Sequence, residues 1–193
     1  MESDINVGII SKLPIHKTIK TKIHNLKLNP PKKTRPILES TFVLPDGTPL
    51  TILGFHFPSQ NNPKKLRVQA VNILNDIIKN KRAFVIACGD ANITKDEEHI
   101  WDNGVAGYMC SKDLMNDVPG TNYYQGEWSM LDVFYFNEDI LDKGVSGWKL
   151  KDYQIYNKLD IQSTIDQGQT VPQYFGEETG VSDHYPVILK LYK

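Results

Sequence analysis

The chain has 193 residues, enough to bury the core of one domain, so we expect a single domain over residues 1–193. Apolar residues make up 40% and charged residues 23% of the composition, as in ordinary globular proteins, and no apolar run is long enough to span a membrane. The net charge of −1 selects no class of partner, and two cysteines are too few for a disulfide framework. Because no signal peptide is recognisable, we expect a cytoplasmic protein if the chain is complete and an exported one if a leader precedes it.

The first part of the chain is basic. Residues 5–38 hold eight lysines and arginines and no acidic residue. Within this segment Val7-Gly8-Ile9-Ile10 predicts a short strand, and prolines around residue 30 predict an irregular connection over residues 14–35. The segment either borders a site for a phosphate-rich ligand or is a solvated loop whose lysines confer solubility.

A hairpin, a helix and a buried strand are predicted next. Residues 36–44 and 50–57 read as strands, and the Asp-Gly pair between them is typical of an antiparallel hairpin. Pro63 suits the first turn of a helix, in which apolar residues recur at helical spacing as far as Ile78. The apolar run over residues 83–88 has no alternation, which indicates a strand covered on both faces.

The rest of the chain consists mainly of short elements. We expect one or two short helices and loops over residues 95–118, a strand over 127–136, elements of ambiguous type over 138–175 and a last strand over 184–192. Strands dominate and helices separate some of them. This pattern favours an α/β (α+β) fold of two packed sheets flanked by helices over a doubly wound parallel sheet.

Four motifs place polar side chains at the ends of these strands or inside them. They are Gly54-Phe55-His56-Phe57-Pro58-Ser59, Gly89-Asp90-Ala91-Asn92, Trp128-Ser129-Met130-Leu131-Asp132-Val133 and Gly180-Val181-Ser182-Asp183-His184-Tyr185-Pro186-Val187. Asp90 and Asn92 combine an anionic oxygen with an amide, which suits Mg²⁺ or Mn²⁺ beside a phosphate. The alternative for Gly-Asp-x-Asn is a turn closed by a side-chain hydrogen bond, and for His56 a packed core histidine.

Asp132 interrupts a strand that is otherwise apolar. A buried carboxylate requires a partner, and we expect the imidazole of His184 to supply it. Such a pair fixes the ring orientation and raises the pKa of the histidine. The alternative for Ser-Asp-His is a simple turn cap.

Taken in order, the motifs resemble those of the endonuclease/exonuclease/phosphatase superfamily, which has a DNase I-like fold. The resemblance covers essentially the whole chain. The motifs correspond to the family's Asn-His-x-x-Ser, Gly-Asp-Phe-Asn, Ile-Asp-Tyr/His-Ile and Gly-x-Ser-Asp-His-x-Pro-Val elements, with Gly-Phe ahead of His56 and Ala91 in place of the aromatic residue. Lesser matches are residues 4–9, Thr34-Arg35-Pro36-Ile37-Leu38, Arg67 in the helix and Gly120-Thr121-Asn122-Tyr123-Tyr124.

The resemblance implies a four-layer α/β/β/α sandwich of two mainly antiparallel sheets. It implies the catalytic residues His56, Asp90, Asn92, Asp132 and His184. His56, Asn92 and His184 would hold the phosphate, and Asp183 and Asp90 would support Mg²⁺ or Mn²⁺. The implied function is a metal-dependent phosphoesterase, most simply a phosphodiesterase or nuclease, with a phosphate ester and possibly nucleic acid as its partner.

One part of the family pattern is missing. The family domain normally begins with a strand–helix–strand unit that ends in a metal-binding glutamate, and nothing before Val7 matches it. We therefore expect an N-terminally truncated form of the fold with weakened or absent metal binding. A catalytically impaired phosphate-binding or interaction protein is the alternative function, and exposed sheet edges predict a homodimer.

Overall fold

The computed structural model describes residues 6–81, 84–114, 119–157, 163–173 and 181–193. The strands of this part are β1 (Lys22–His24), β2 (Ile37–Val43), β3 (Pro49–His56), β4 (Phe84–Asp90), β5 (Tyr108–Cys110), β6 (Asn122–Tyr124), β7 (Glu127–Ser129), β8 (Asp132–Asn137), β9 (Lys149–Ile155), β10 (Ser163–Asp166), β11 (Gln169–Pro172) and β12 (Val187–Tyr192). Helix α1 spans Lys64–Lys79, and 3-10 helices span Lys95–Asn103, Ser111–Leu114 and Glu138–Leu141.

The main sheet has six strands in the order β1-β2-β3-β4-β8-β5. Strands β3 and β4 are parallel and all other neighbours are antiparallel. The predicted hairpin is confirmed as β2 and β3, and α1 is the crossover that joins the parallel pair. Within this register His56 lies opposite Asp90, and Asp90 lies opposite Asp132.

Helix α1 covers one face of the main sheet. Its residues Leu66, Ala70, Leu74 and Ile78 are buried, as the helical spacing predicts, and belong to one core cluster with residues of the sheet. On the other face a second cluster includes Ile86 and Phe136, with partly buried leucines of β9 and β12 packed against it: Leu150, Leu189 and Leu191. Successive residues of β4 therefore enter opposite cores, which explains its unbroken apolar sequence.

The smaller sheets are two-stranded and antiparallel: β9 with β12, β10 with β11, and β6 with β7. The described residues thus form a helix layer, a six-stranded sheet and a second sheet made by β9 and β12. This arrangement confirms the α+β sandwich. Within the described ranges α1 is the only α-helix, so a helix layer outside β9 and β12 is not among the described elements.

Several boundaries differ from the prediction. Residues 7–10 do not form a strand. Val7 nevertheless packs closely over Gly54, since a Cβ on Gly54 would lie only 2.9 Å from Cγ1 of Val7. The strand predicted over residues 127–136 is divided into β7 and β8, because Leu131 instead accepts a hydrogen bond from the N–H of Ala91. The last strand begins at Val187 rather than residue 184. None of the helices in the described ranges is long and apolar enough to cross a membrane.

Candidate functional site

Three neighbouring strands carry the predicted site residues at one end of the main sheet. His56 ends β3, Asp90 ends β4 and Asp132 begins β8, so the register sets the three side by side. Gly89 makes the close approach of β3 and β4 possible. Its φ is +147°, and a Cβ there would overlap the carbonyl oxygen of Phe55.

Asp132 and His184 form the predicted pair. Nδ1 of His184 lies 2.6 Å from Oδ2 of Asp132. Thr121 ties the two segments together, because its hydroxyl accepts the N–H of Asp132 at 3.1 Å and its carbonyl accepts the N–H of Tyr185 at 2.7 Å. In the sequence Thr121 belongs only to a lesser motif match, and its positioning role follows from these contacts.

Asp90 and Asn92 are joined to each other. Oδ1 of Asp90 accepts the backbone N–H of Asn92 at 2.7 Å, and Nδ2 of Asn92 donates to Oδ2 of Asp90 at 3.0 Å and to the carbonyl of Phe57 at 3.1 Å. Asn92 has a φ of 51°, so the segment is the side-chain-closed turn considered as an alternative. This turn fixes the Asp90 carboxylate at the edge of the sheet. The turn and the site are therefore compatible, because the turn orients the carboxylate that the site would use.

His56 contacts the same carboxylate, with Nε2 at 3.3 Å from Oδ2 of Asp90. Burial lowers the pKa of His56 to about 4, and the cationic Arg35 and His184 act in the same direction, while Asp132 opposes them. Burial raises the pKa of Asp90 to about 7, assisted by the charge of Asp132 and opposed by His184, the N–H of Asn92 and Arg35. Between pH 4 and 7 the contact therefore joins two neutral groups, a carboxyl and an imidazole.

His184 carries the positive charge of the site. Burial alone would lower its pKa, but the hydrogen bond and charge of Asp132, together with the charges of Asp90 and Asp183, outweigh burial and raise it to about 9. The side chains of His56, Asp90, Asp132 and His184 remain between 15% and 30% exposed, so a ligand can reach them from solvent. The site thus combines a cationic imidazole, a neutral imidazole and a carboxyl that titrates near neutrality.

A buried ion pair holds the loops that follow β3 and β4. Arg67 of α1 donates to both carboxylate oxygens of Glu97, at 2.7 and 2.6 Å, and to the carbonyl of Ser59 at 2.9 Å. Gln60 bridges the two loops, because its amide donates to the carbonyl of Asn92 and its side-chain oxygen accepts from Arg67. The motifs contain no signal for the role of Glu97, because it lies in a separate 3-10 helix.

Two side chains were predicted to support a metal. Burial and the charge of Asp132 raise the pKa of Asp90, and a bound cation would act against both by favouring the ionised carboxylate. Asp183 is exposed beside His184, whose pKa it helps to raise. In the described part of the chain no three histidine, cysteine or acidic side chains cluster to hold a metal ion. Two carboxylates would suit an ion such as Mg²⁺, which uses one or two carboxylates and takes its other ligands from water and phosphate.

Aromatic side chains border the site on one side. Trp128 of β7 lies 5.2 Å from Tyr123 and 6.1 Å from Tyr185, measured between ring centroids. Tyr124 is 70% exposed at the tip of the β6–β7 hairpin. Trp101, in contrast, is 8% exposed and packs on Tyr135 in the core, so it is not a surface for a ligand.

The two cysteines take no part in the site. Burial raises the pKa of Cys88 to about 11 and that of Cys110 to about 12, so neither thiol is ionised at neutral pH. Gly180, the first residue of the fourth motif, lies outside the described residues.

Comparison with known proteins gives matches at the level of structure. No family model and no curated protein sequence matches the chain. The structure resembles D. rerio TDP2 in complex with a single-strand DNA product, with a TM-score of 0.62, 15% sequence identity and coverage of 91% of this chain and 68% of that one. It also resembles a mannosyl-6-phosphatase from Bacteroides thetaiotaomicron, with a TM-score of 0.53, 18% identity and coverage of 83% and 58%.

A third similar structure is an endonuclease/exonuclease/phosphatase family protein from Bacteroides thetaiotaomicron. The TM-score is 0.52, the identity is 18%, and the match covers 82% of this chain and 56% of that one. The chain therefore spans between about half and two thirds of the length of these proteins. Identities this low show the fold alone, and the motif order agrees with it. The chain has the fold of the endonuclease/exonuclease/phosphatase superfamily.

Proposed function

We propose that the chain is a phosphoesterase that hydrolyses a phosphate ester, most simply a phosphodiester, at the site formed by His56, Asp90 and His184. The observation that carries the proposal is the geometry of Asp90 between His56 and Asp132, with His184 bound to Asp132 at 2.6 Å. The similar structures include a DNA complex and a phosphatase, which supports phosphate esters as the class of substrate.

In this proposal His184 neutralises the phosphoryl group. Its raised pKa keeps the imidazole charged at neutral pH, and a positive charge beside the phosphoryl oxygens stabilises the negative charge that grows there during hydrolysis. Asp132 keeps the ring oriented and charged. Thr121 accepts the backbone N–H groups of Asp132 and of Tyr185, the residue after His184, so the pair is in place before a substrate binds.

Asp90 is the proposed base. A carboxyl with a pKa of about 7 is half ionised near neutral pH and can accept the proton of an attacking water. Both amide hydrogens of Asn92 are donated to Asp90 and to the carbonyl of Phe57. Asn92 therefore orients the base, and its predicted contact with phosphate requires one of these bonds to break.

Divalent metal dependence is part of the proposal. Asp90 and Asp183 would hold Mg²⁺ or Mn²⁺, with the substrate phosphate as a further ligand, and the ion would polarise the phosphoryl oxygens. His56, neutral at pH 7, stands beside Asp90 on the side away from Asp132 and would contact the scissile phosphate.

The test is turnover of the 193-residue chain. Bis(p-nitrophenyl) phosphate, p-nitrophenyl phosphate and single-stranded DNA are incubated with MgCl₂, MnCl₂ or EDTA, and products are measured by absorbance and electrophoresis. We expect hydrolysis with metal that EDTA abolishes, and loss of roughly 10²–10⁴-fold in the rate for His184→Gln. A folded protein that hydrolyses none of these substrates with either metal contradicts the proposal.

The second candidate function is a phosphate-binding protein without catalysis. It is favoured by the lack of a three-residue metal cluster in the described ranges. Thermal unfolding separates the two candidates. A melting temperature raised by phosphate but unchanged by MgCl₂, in a chain without turnover, supports binding alone.

A further inference from the structure

A cationic cavity lies next to the candidate site. It has a volume of about 200 Å³ and is formed by residues 32–35 before β2, by residues 58–59 after β3 and by Asn62. A water molecule occupies about 30 Å³ in the liquid, so the cavity holds a hydrated tetrahedral anion with ease. Lys32, Lys33 and Arg35 are three of the seven described residues that line it, and none of these seven is acidic.

The sheet register places this cavity beside His56. Leu38 of β2 lies opposite Gly54 of β3, so extending the antiparallel register by two residues brings Pro36 opposite His56. Arg35 is the next residue outward. Its charge acts on the pKa values of both His56 and Asp90, as expected of a near neighbour.

The opposite wall is equally close to the site. Ser59 follows His56 by three residues, which limits the separation of their Cα atoms to about 11 Å. The site and the cavity are therefore two adjoining parts of one surface, joined by a loop of two residues.

This wall is held in a fixed conformation. Arg67, which is 1% exposed, donates to the carbonyl of Ser59 at 2.9 Å and to that of Asn62 at 3.1 Å. The amide of Asn62 donates to the hydroxyl oxygen of Ser59 at 3.1 Å. Because these bonds exist without a ligand, little ordering is needed for one to bind.

Two cations that line the cavity, Lys32 and Arg35, differ from other cations of the chain in their surroundings. In the described part of the chain no carboxylate forms an ion pair with Lys32 or Arg35, whereas other buried or half-buried cations, such as Arg67 and Lys81, are paired with glutamates. A planar guanidinium is suited to bidentate hydrogen bonds with phosphate. Arg35 therefore presents a phosphate-binding group toward a cavity that adjoins the hydrolytic site.

We propose that this cavity binds a second phosphate group of the substrate, so that the preferred substrate is a phosphate ester with at least two phosphates. This inference rests on the proposed function, because it takes the first phosphate to be hydrolysed at His56 and His184. The same chemistry is offered by successive phosphates of a nucleic-acid strand and by a small bisphosphate.

Binding without turnover tests the inference. Isothermal titration calorimetry in EDTA compares thymidine 5′-monophosphate with thymidine 3′,5′-bisphosphate, and glucose 6-phosphate with glucose 1,6-bisphosphate. We expect the bisphosphate to bind about tenfold tighter than its monophosphate, because one additional charge-assisted hydrogen bond contributes about this much to the affinity. A preference in the nucleotide pair alone indicates a nucleic-acid strand, and a preference in the glucose pair indicates a small bisphosphate or phosphate in general.

Variants locate the effect. Arg35→Ala is expected to reduce the affinity ratio of each preferred pair to about one, and Arg35→Lys to leave an intermediate ratio, since a point charge remains without the planar fork. Lys17→Ala is the matched control, because Lys17 is an exposed cation of the same basic segment outside the cavity. Its ratio should equal that of the wild type.

The outcomes separate this inference from the proposed function. Equal affinity of the wild type for both members of each pair overturns the second phosphate site, as does an equal effect of Arg35→Ala and Lys17→Ala. Loss of hydrolysis activity with a retained preference overturns only the hydrolytic function. Hydrolysis without any preference overturns only the second phosphate site.

Discussion

Two carboxylates of the main sheet have opposite electrostatic surroundings. Glu39 on β2 is 1% exposed and is contacted by Lys81 at 2.5 Å and by His24 at 2.8 Å. Burial alone would raise its pKa, but these hydrogen bonds and the charge of Lys22 outweigh burial and lower it. Asp90 is also largely buried, yet its pKa is raised to about 7. Both are buried, but cations hydrogen-bond directly to Glu39, whereas at Asp90 burial and the charge of Asp132 outweigh the effect of the cations His184 and Arg35.

The comparison shows that one sheet contains a carboxylate that stabilises the fold, Glu39, and a carboxylate suited to react, Asp90. Glu39 is stabilised as an anion, and proton uptake there weakens the fold. Asp90 lies opposite another carboxylate, Asp132. The cation His184 is hydrogen-bonded to Asp132, and its charge also acts on Asp90. Burial and the charge of Asp132 make ionisation of Asp90 unfavourable and raise its pKa to about 7. A carboxylate with this pKa can accept a proton near neutral pH.

The largest expected effect is on the rate. Asp90→Asn removes the proposed base without changing the side-chain volume, so kcat for bis(p-nitrophenyl) phosphate should fall roughly 10²–10⁴-fold. Folding should change little, because the asparagine keeps one oxygen to accept the backbone N–H of Asn92 and loses only the bond from the Asn92 side-chain amide. Urea unfolding checks this point. A variant with near wild-type kcat would show that Asp90 is only a turn residue.

The pH profile of kcat/KM should depend on Asp90 and not on Glu39. Asp90 must be ionised and His184 protonated, so kcat/KM should rise with pH through the pKa of Asp90, which a bound cation lowers from about 7, and fall as pH passes about 9. Initial rates from pH 5 to 10 measure this profile. Glu39→Gln, which leaves the site intact, should show the same two limbs. A flat profile in the wild type would contradict the proposed roles.

Stability should respond to pH with opposite signs at the two positions. The folded pKa of Glu39 is lowered, so its contribution is present above the ordinary value of 4.5 and is lost as pH falls through the folded pKa. The folded pKa of Asp90 is raised, so its protonated form stabilises the fold below the ordinary value of 3.8, and this contribution is lost as pH rises through about 7. The loss of stability with rising pH that we assign to Asp90, up to about 4 kcal/mol, should be absent in Asp90→Asn.

Urea unfolding in EDTA from pH 3 to 8 measures both trends. The midpoint for Asp90→Asn should change less between pH 4 and 7 than that of the wild type. An unchanged wild-type slope in this variant would refute the assignment of that trend to Asp90.

A smaller effect is expected at neutral pH from Glu39→Gln. The substitution leaves Lys81, 17% exposed on its side chain, without its anion, so we expect a loss of about 1–3 kcal/mol. His24→Gln is the matched control, because it removes one weaker partner and should cost about 0.5–1 kcal/mol. Urea unfolding at pH 7 ranks the two variants. The reverse order would show that Lys81 does not carry the stabilisation of Glu39.

Much of this site could be predicted because its residues lie in short motifs at strand ends. His56, Asp90 and Asp132 come together through strand register, and Asp132 was recognisable as a carboxylate that required His184. The hairpin and α1 followed from turn residues and helical spacing. These signals are local, or depend on a single pairing between strands.

The contacts that connect separate loops left no such signal. The roles of Thr121, Gln60 and Glu97 depend on side-chain hydrogen bonds across 10 or more residues of sequence. The boundary between β7 and β8 depends on a bond from Ala91 to Leu131. The predicted dimerisation through edge strands stays a prediction, because its test is the mass of the chain in solution.

The tight contact at Gly89 has a consequence for sequence variation. Even a methyl group at this position would collide with the main chain of Phe55, so β3 and β4 would have to separate at the point that brings His56 and Asp90 together. An alanine there would carry no charge and touch no substrate, yet it would disable the site by moving its two halves apart. Natural variants of this chain should therefore be as intolerant of change at this glycine as at the acid and the imidazole it brings together.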